Sequence, residues 1–261
     1  MTDSPRYRAR KAFFDRLLTV YGRKPVLEVL RNRHLPVQQL HLADSNRSGG
    51  IIDDILQAAA HRNIPVRYHD RAELARISRN GRQDQGVAAD LDLPSHRSLE
   101  DWPLRNQKGW QLLALDRITN PQNLGMIIRS ACAGGIDGIL LPRRGCAELS
   151  PLVIKASAGT LFRAPLLHCE QLERALAGLR ETGADIAVLD ARAPLSLFEF
   201  QPAGSCVYIL GNESGGVSEA CSRLATRHLA IPMANGVESL NVAVTAGIIA
   251  YRSALAEHQG Q

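Results

Sequence analysis

Lysine is nearly absent from this 261-residue chain, with 4 Lys beside 27 Arg, and aromatic residues make up only 5%. Cysteine is sparse and odd in number: Cys132, Cys146, Cys169, Cys206 and Cys221 all lie in the second half, and no two form a C-x-x-C pair. A disulfide framework or a zinc site needs tighter spacing, so reduced buried thiols are expected. No long hydrophobic run occurs. The opening MTDSPRYRARK is polar and basic with no apolar stretch suited to a signal peptide, and Val242 to Tyr251 is too short and broken to span a bilayer. These absences set the expectation of a soluble cytoplasmic protein without metal or membrane partner. Also missing are a G-x-G-x-x-G after a strand, a P-loop, H-E-x-x-H and G-x-S-x-G, which removes support from hydride transfer, nucleotide hydrolysis and esterase chemistry.

What is present starts with an uneven charge. The formal net charge is +5, and residues 1–33 alone hold 9 basic and 3 acidic groups. Residues 34–97 hold 8 of each, and residues 98–261 hold 14 basic and 15 acidic. Arg presents a planar fork that matches phosphate, so an Arg-rich N-terminal end suggests a polyanion partner. Genomic base composition is the competing explanation, because Arg is abundant in the neutral part too. An apolar content of 45% fits an ordinary globular chain of one large or two small domains.

The hydrophobic pattern predicts two α/β units. Residues 1–20 read as a basic tail with a helical turn or two around Phe13, Phe14, Leu17 and Leu18. Residues 21–92 read as a small β-α-β-α-β unit: a helix opened by Pro25, strands at 38–43, 64–68 and 85–91, and helices at 48–63 and 71–77. Residues 93–109, polar and holding two prolines, read as a linker. From 110 to 261 continuous apolar strands alternate with helices: strands at 110–116, 137–142, 184–190, 205–211 and 228–233, helices at 121–133, 151–159, 171–183, 217–225 and 239–255. That pattern implies a parallel sheet covered on both faces.

Three places break the local logic. In helix 121–133, Arg129 interrupts an apolar run and Asn123 sits in the first turn. Arg129 has the structural reading of a snorkelling or ion-paired side chain, and Asn123 that of a helix-terminus partner. ILGNESGGVSE (209–219) runs from a strand into a glycine turn bearing Glu213, then into a helix; ligands bind at that strand edge in open α/β folds, although glycine turns there are common. In IPMANGVESLNVAVTAG (231–247), Ser239 is expected to cap the final helix, with Asn241 in its first turn; this too is an ordinary structural solution taken singly. All three departures fall at the ends of strands in the C-terminal half.

Together these segments, DRITNPQNLGMIIRSA (116–131), LGNESGG (210–216) and IPMANGVESLNVAVTAG (231–247), resemble the three ordered motifs of the SpoU/TrmH family (SPOUT superfamily) of RNA ribose 2′-O-methyltransferases. The N-terminal unit looks like the substrate-binding domain of the bacterial 23S rRNA guanosine-2′-O-methyltransferase (RlmB-type) branch. The resemblance implies an α/β fold whose C-terminal, parallel-sheet methyltransferase domain is tied in a trefoil knot, a rare exception to unknotted connections. It implies S-adenosyl-L-methionine as cofactor, RNA as substrate (most specifically a guanosine in 23S rRNA) and a homodimer through the C-terminal domain. Asn123, Arg129, Glu213, Ser239 and Asn241 fall on the family's active-site positions, and Gly211, Ile231 and Leu240 on its cofactor-binding positions. On that basis Arg129 is expected to hold a phosphate and stabilise the developing alkoxide, since a guanidinium is not readily deprotonated. Asn123, Ser239 and Asn241 are expected to orient ribose and cofactor, and Glu213 to fix Arg129 or a backbone loop. The alternatives are a tRNA or other rRNA methyltransferase of the same fold, and a non-catalytic RNA-binding protein.

Overall fold

The computed structural model describes residues 17–93, 96–103 and 107–259, in two compact units that divide after Pro94. The first unit contains β1 (Leu17–Tyr21), α1 (Arg23–Arg31), β2 (Val37–Ala43), α2 (Ile51–His61), β3 (Val66–His69), α3 (Arg71–Ser78) and β4 (Val87–Asp92). The sheet order is β1-β4-β2-β3; β4 runs antiparallel to β1 and β2, while β2 and β3 are parallel. Helix α1 buries Val26, Leu27, Val29 and Leu30, and α2 buries Ile52, Ile55 and Ala59, the 3–4 spacing of an amphipathic helix. At the C-terminal end of α1 the orphan carbonyls meet one cation. Arg62 donates to Val29 O (3.2 Å), Leu30 O (3.0 Å), Asn32 O (3.1 Å) and Leu35 O (2.5 Å).

Strand β1 corrects the helical turn expected around Leu17 and Leu18. LLTVY alternates half-buried and buried residues, and β4 offers an antiparallel partner with Thr19 opposite Asp90. Period 2 with β-branched residues wins once an edge is available. The sheet therefore starts inside the stretch read as tail. Phe13 and Phe14 lie outside the described residues.

The second unit contains β5 (Arg97–Ser98), β6 (Gln111–Leu115), α4 (Pro121–Ala133), β7 (Gly138–Pro142), α5 (Pro151–Ala156), a 3-10 turn (Thr160–Phe162), β8 (Leu166–Cys169), α6 (Leu172–Glu181), β9 (Asp185–Leu189), β10 (Leu195–Ser196), β11 (Cys206–Leu210), α7 (Glu219–Ser222), β12 (Arg227–Ala230) and α8 (Val242–Gln259). Its eight strands lie in the order β10-β12-β9-β11-β6-β7-β8-β5, and every pairing is parallel. This is the parallel sheet expected from the continuous apolar runs, and the central strands β7 and β11 are buried at every residue.

Strands β5, β8 and β10 were not expected. Leu166–Cys169 follows Pro165 and is only four residues long, too short for periodicity to mark it. The stretch read as linker is partly built into this unit. Arg97 and Ser98 pair with Leu167 and His168, and Leu99 and Trp102 are buried in the core, where the Trp102 and Trp110 rings meet edge-on at 5.3 Å. Strand order reverses at β6 and β11: the chain leaves β6 toward β7 and β8, then returns to place β11 on the other side. Neighbouring parallel strands whose connections leave in opposite directions open a crevice at their carboxyl ends. No helix among the described residues is long and apolar enough to cross a membrane.

Candidate functional site

The crevice beyond Leu115 and Leu210 is where the three sequence oddities converge. Helix α4 begins there because Asn120 caps it, its side chain accepting from the N–H of Gln122 (2.8 Å) and of Asn123 (3.4 Å), with Pro121 at the first helical position. Asn123 is thereby freed from capping, and its amide is buried. Its Nδ2 donates to Glu213 Oε1, and its Oδ1 accepts from Asn241 Nδ2 at 3.1 Å.

Asn241, not Ser239, caps the last helix. Helix α8 starts at Val242, and Asn241 Oδ1 accepts from Ala243 N at 2.9 Å. Segment 231–241 stays irregular, so Ser239 lies exposed two residues before the cap. Because Asn241 Oδ1 is occupied by a backbone donor, its Nδ2 must face Asn123. That in turn orients Asn123 Nδ2 toward the carboxylate. One backbone N–H thus sets the direction of a chain, Asn241 to Asn123 to Glu213, drawn from three distant parts of the sequence.

The loop that carries Glu213 is rigid for identifiable reasons. Asn212 and Gly216 exchange backbone hydrogen bonds of 3.1 and 2.8 Å, and Asn212 Oδ1 accepts from Ser214 N and Gly215 N. Asn212 Nδ2 donates to Arg117 O (3.0 Å), Arg117 Nη2 donates to Gly216 O (3.1 Å), and Asp116 Oδ2 accepts from Ser218 N (2.5 Å). The motif reading passed over Asp116, Arg117 and Asn212; the signal for Asn212 is an Asn ahead of Ser-Gly-Gly, an Asx-turn former. Gly211 is enclosed by the same loop: a Cβ there would lie 2.2 Å from Gly216 C and 2.3 Å from Val217 N.

Beside this chain lies a cavity of about 200 Å³, and Gly211, Glu213, Ile231, Ser239 and Leu240 all line it. Leu189, Ile209 and Val242 supply further apolar wall, while Asp190 and Glu238 bring carboxylates. An apolar slot rimmed by polar loop groups suits a nucleoside-sized molecule.

Arg129 is not part of this cluster. It lies six residues beyond Asn123 on α4, about 9 Å along the axis, on the exposed face that also carries Met126. Among the described residues it forms no ion pair with Glu213, whose side-chain bond goes to Asn123.

Comparison with known proteins gives the family. Residues 111–251 match the family model of the SpoU rRNA Methylase family, and residues 19–96 match that of RNA 2′-O ribose methyltransferase substrate binding. A protein of Mycolicibacterium vanbaalenii named as a tRNA/rRNA methyltransferase is 33% identical over 233 residues, which is 88% of this chain and 74% of its own length. One of Mycobacterium tuberculosis, similarly named, is 32% identical over 94% of this chain and 76% of its own. Among solved structures, the SpoU methyltransferase AviRb of Streptomyces viridochromogenes, in complex with AdoMet, aligns with a TM-score of 0.62. The alignment covers 98% of this chain and 95% of that one at 22% identity, a likeness of fold. A TrmH-family protein of Porphyromonas gingivalis aligns with a TM-score of 0.58 at 25% identity, covering 96% and 92%. With the parallel sheet, the crevice at its strand reversal and both family models in register, the chain belongs to the SpoU rRNA methylase family of RNA methyltransferases.

Proposed function

We propose that this protein transfers a methyl group from S-adenosylmethionine to a ribose 2′-hydroxyl of RNA, with a guanosine of 23S rRNA as the target. The observation that carries the reading is the directed Asn241–Asn123–Glu213 chain beside an apolar cavity at the strand reversal. Gly211, Ile231 and Leu240 line that cavity and are the residues proposed to hold the cofactor. When bound, the cofactor supplies an electrophilic methyl group on a sulfonium.

The protein's own task is then positioning and charge. In-line attack requires the hydroxyl to be fixed within a narrow angle, and such orientation supplies much of a rate. Asn123 is buried and held at both ends of its amide, so it is the rigid member of the set. Glu213 is anchored through one oxygen, which leaves the other to accept from the substrate. Ser239 presents its hydroxyl at the cavity rim. Arg129 remains the group proposed to grip the neighbouring phosphate and stabilise the developing alkoxide.

Its place on the exposed face of α4 supports a homodimer. Met126 on α4, Leu152 on α5, and Val244 and Tyr251 on α8 are all exposed apolar side chains, and Val244 and Tyr251 are seven residues apart, on one helical face. Pairing on this face is proposed to bring Arg129 to a cavity of the partner subunit. The trefoil knot implied by the family resemblance belongs to the same proposal. The substrate-binding match over 19–96 supports a large structured RNA such as rRNA, and the relatives named for tRNA and rRNA together make tRNA the second reading.

Deleting the gene and mapping 2′-O-methylation across rRNA and tRNA tests this directly. One ribose mark disappears, and wild-type protein restores it while Asn123→Ala lowers the rate at least ~100-fold. If no ribose mark is lost in either RNA, the reading fails.

A further inference from the structure

Among the described residues of the first unit, two basic hollows differ in their chemistry. The one between α1 and α2 is lined by Arg31, Arg33, His61 and Arg62 together with the carboxylate of Asp54, and two of its cations are engaged. Arg31 pairs with Asp54 at 3.3 Å, and Arg62 is spent on four backbone carbonyls. The other, of about 520 Å³, is lined by Arg23, Ser45, Asn46, Arg71, Gln85 and Gly86, without a carboxylate. Four segments distant in sequence meet there.

This second hollow is a built frame. Arg23 Nε donates to Gln85 O (3.2 Å), its Nη2 donates to Asn46 Oδ1 (3.2 Å), and its backbone N–H donates to Gln85 Oε1 (3.1 Å). Asn46 Nδ2 donates to Gly86 O at 2.7 Å. Gln85 and Gly86 are both left-handed, with φ of 53° and 77°, and a Cβ on residue 86 would lie 2.9 Å from Asn46 Oδ1. The result is a guanidinium fixed by neutral acceptors, so its full charge stays uncompensated and its Nη1 has no partner among the described residues.

Arg71 supplies a second bare cation, and it stands where a cation is least favoured. It is the first residue of α3, at the positive end of the helix dipole, exposed, with no acceptor among the described residues. A residue that breaks local electrostatic logic without a compensating contact is a candidate for binding. Two uncompensated guanidinium forks beside a Ser hydroxyl and a Gln amide form a donor-rich hollow that matches the phosphodiester oxygens of a polynucleotide.

The geometry points to this hollow as the phosphate-binding subsite by which the first unit grips RNA. Arg23 is the fixed donor, Arg71 the exposed one, and Ser45 and Gln85 the neutral partners. The inference deepens the proposed function and rests on RNA being the substrate.

The test uses the full-length protein and labelled rRNA and tRNA from a strain lacking the gene, with affinity measured at several salt concentrations. Arg71→Ala is expected to weaken RNA binding about tenfold near physiological salt and to lower the salt slope by about one. S-adenosylmethionine binding stays unchanged by calorimetry, and Arg33→Ala, which removes the same charge from the other hollow, has little effect. Arg71→Glu weakens binding further. Wild-type affinity and slope for Arg71→Ala, or an equal loss with Arg33→Ala, overturns the subsite. If Arg71 governs RNA binding while wild-type protein methylates no ribose, the subsite stands and the proposed reaction fails.

Discussion

Single buried groups give the second unit a defined pH response. His96 is 5% exposed and lies 3.2 Å from His168 through ring nitrogens. Burial, reinforced by His168 and Arg143, pushes its pKa down to about 2 from 6.5. The ring is neutral in the folded protein but takes up a proton in the unfolded chain near pH 6.5. This contribution is therefore fully present above that value, and stability falls as pH drops from 6.5 toward 2, by up to about 1.4 kcal/mol per pH unit. Melting temperatures should decline across that window, and His96→Gln should flatten the decline. An unchanged slope in the variant would assign the acid sensitivity elsewhere. The cysteines follow the same physics: burial pushes the thiols of Cys169 and Cys206 up to about 12 and that of Cys221 up to about 11. Such thiols stay protonated; these three are buried as expected, whereas Cys132 and Cys146 are only half-buried.

Between elements, close backbone approach decides which glycines are replaceable. At Gly211 an added Cβ meets only backbone, at 2.2–2.4 Å, so nothing nearby can swing aside. Gly211→Ala is expected to cost about 3 kcal/mol or more and to abolish S-adenosylmethionine binding, measured by urea titration and calorimetry. Gly178, inside α6, has no neighbour within 4 Å of the same position, so Gly178→Ala should stabilise the fold by about 0.5–1 kcal/mol. The reverse ranking of the two variants would contradict this account. Helix α4 has the bounds expected from the sequence, 121–133, because Pro121, an apolar stripe and the terminal glycines mark it locally. The last helix begins three residues later than expected, because the choice between Ser239 and Asn241 as cap depends on contacts of segment 231–241.

For the molecule as a whole, the charge surplus and the fold overlap at one strand. Residues 1–16 hold five Lys+Arg and two Asp+Glu, whereas residues 17–20 belong to β1. Removing residues 1–16 should weaken RNA binding and reduce its salt dependence while leaving cofactor binding intact. Extending the deletion through residue 20 removes buried Leu18 and Val20 and the Thr19–Asp90 hydrogen bond of 2.6 Å, and should unfold the first unit. Circular dichroism together with a salt series separates the two outcomes; an unaltered salt slope on removing 1–16 would return the Arg excess to base composition.

From the sequence alone followed the class of fold, the parallel sheet and the three segments that meet at the crevice. Strongly apolar runs, capping residues and glycine turns are local signals, written in neighbouring positions. Tertiary structure decided what those segments do to one another. It made Asn123 a bridge rather than a helix partner, because Asn120 already satisfies the helix N-terminus and Asn241 and Glu213 arrive from 118 and 90 residues away. It turned LLTVY into a strand because β4 presents a free edge, and it left Arg129 on an exposed face of α4 while burying Asn123. Short strands and hydrogen-bond partners of that kind depend on contacts between distant residues, which no window of neighbouring residues contains.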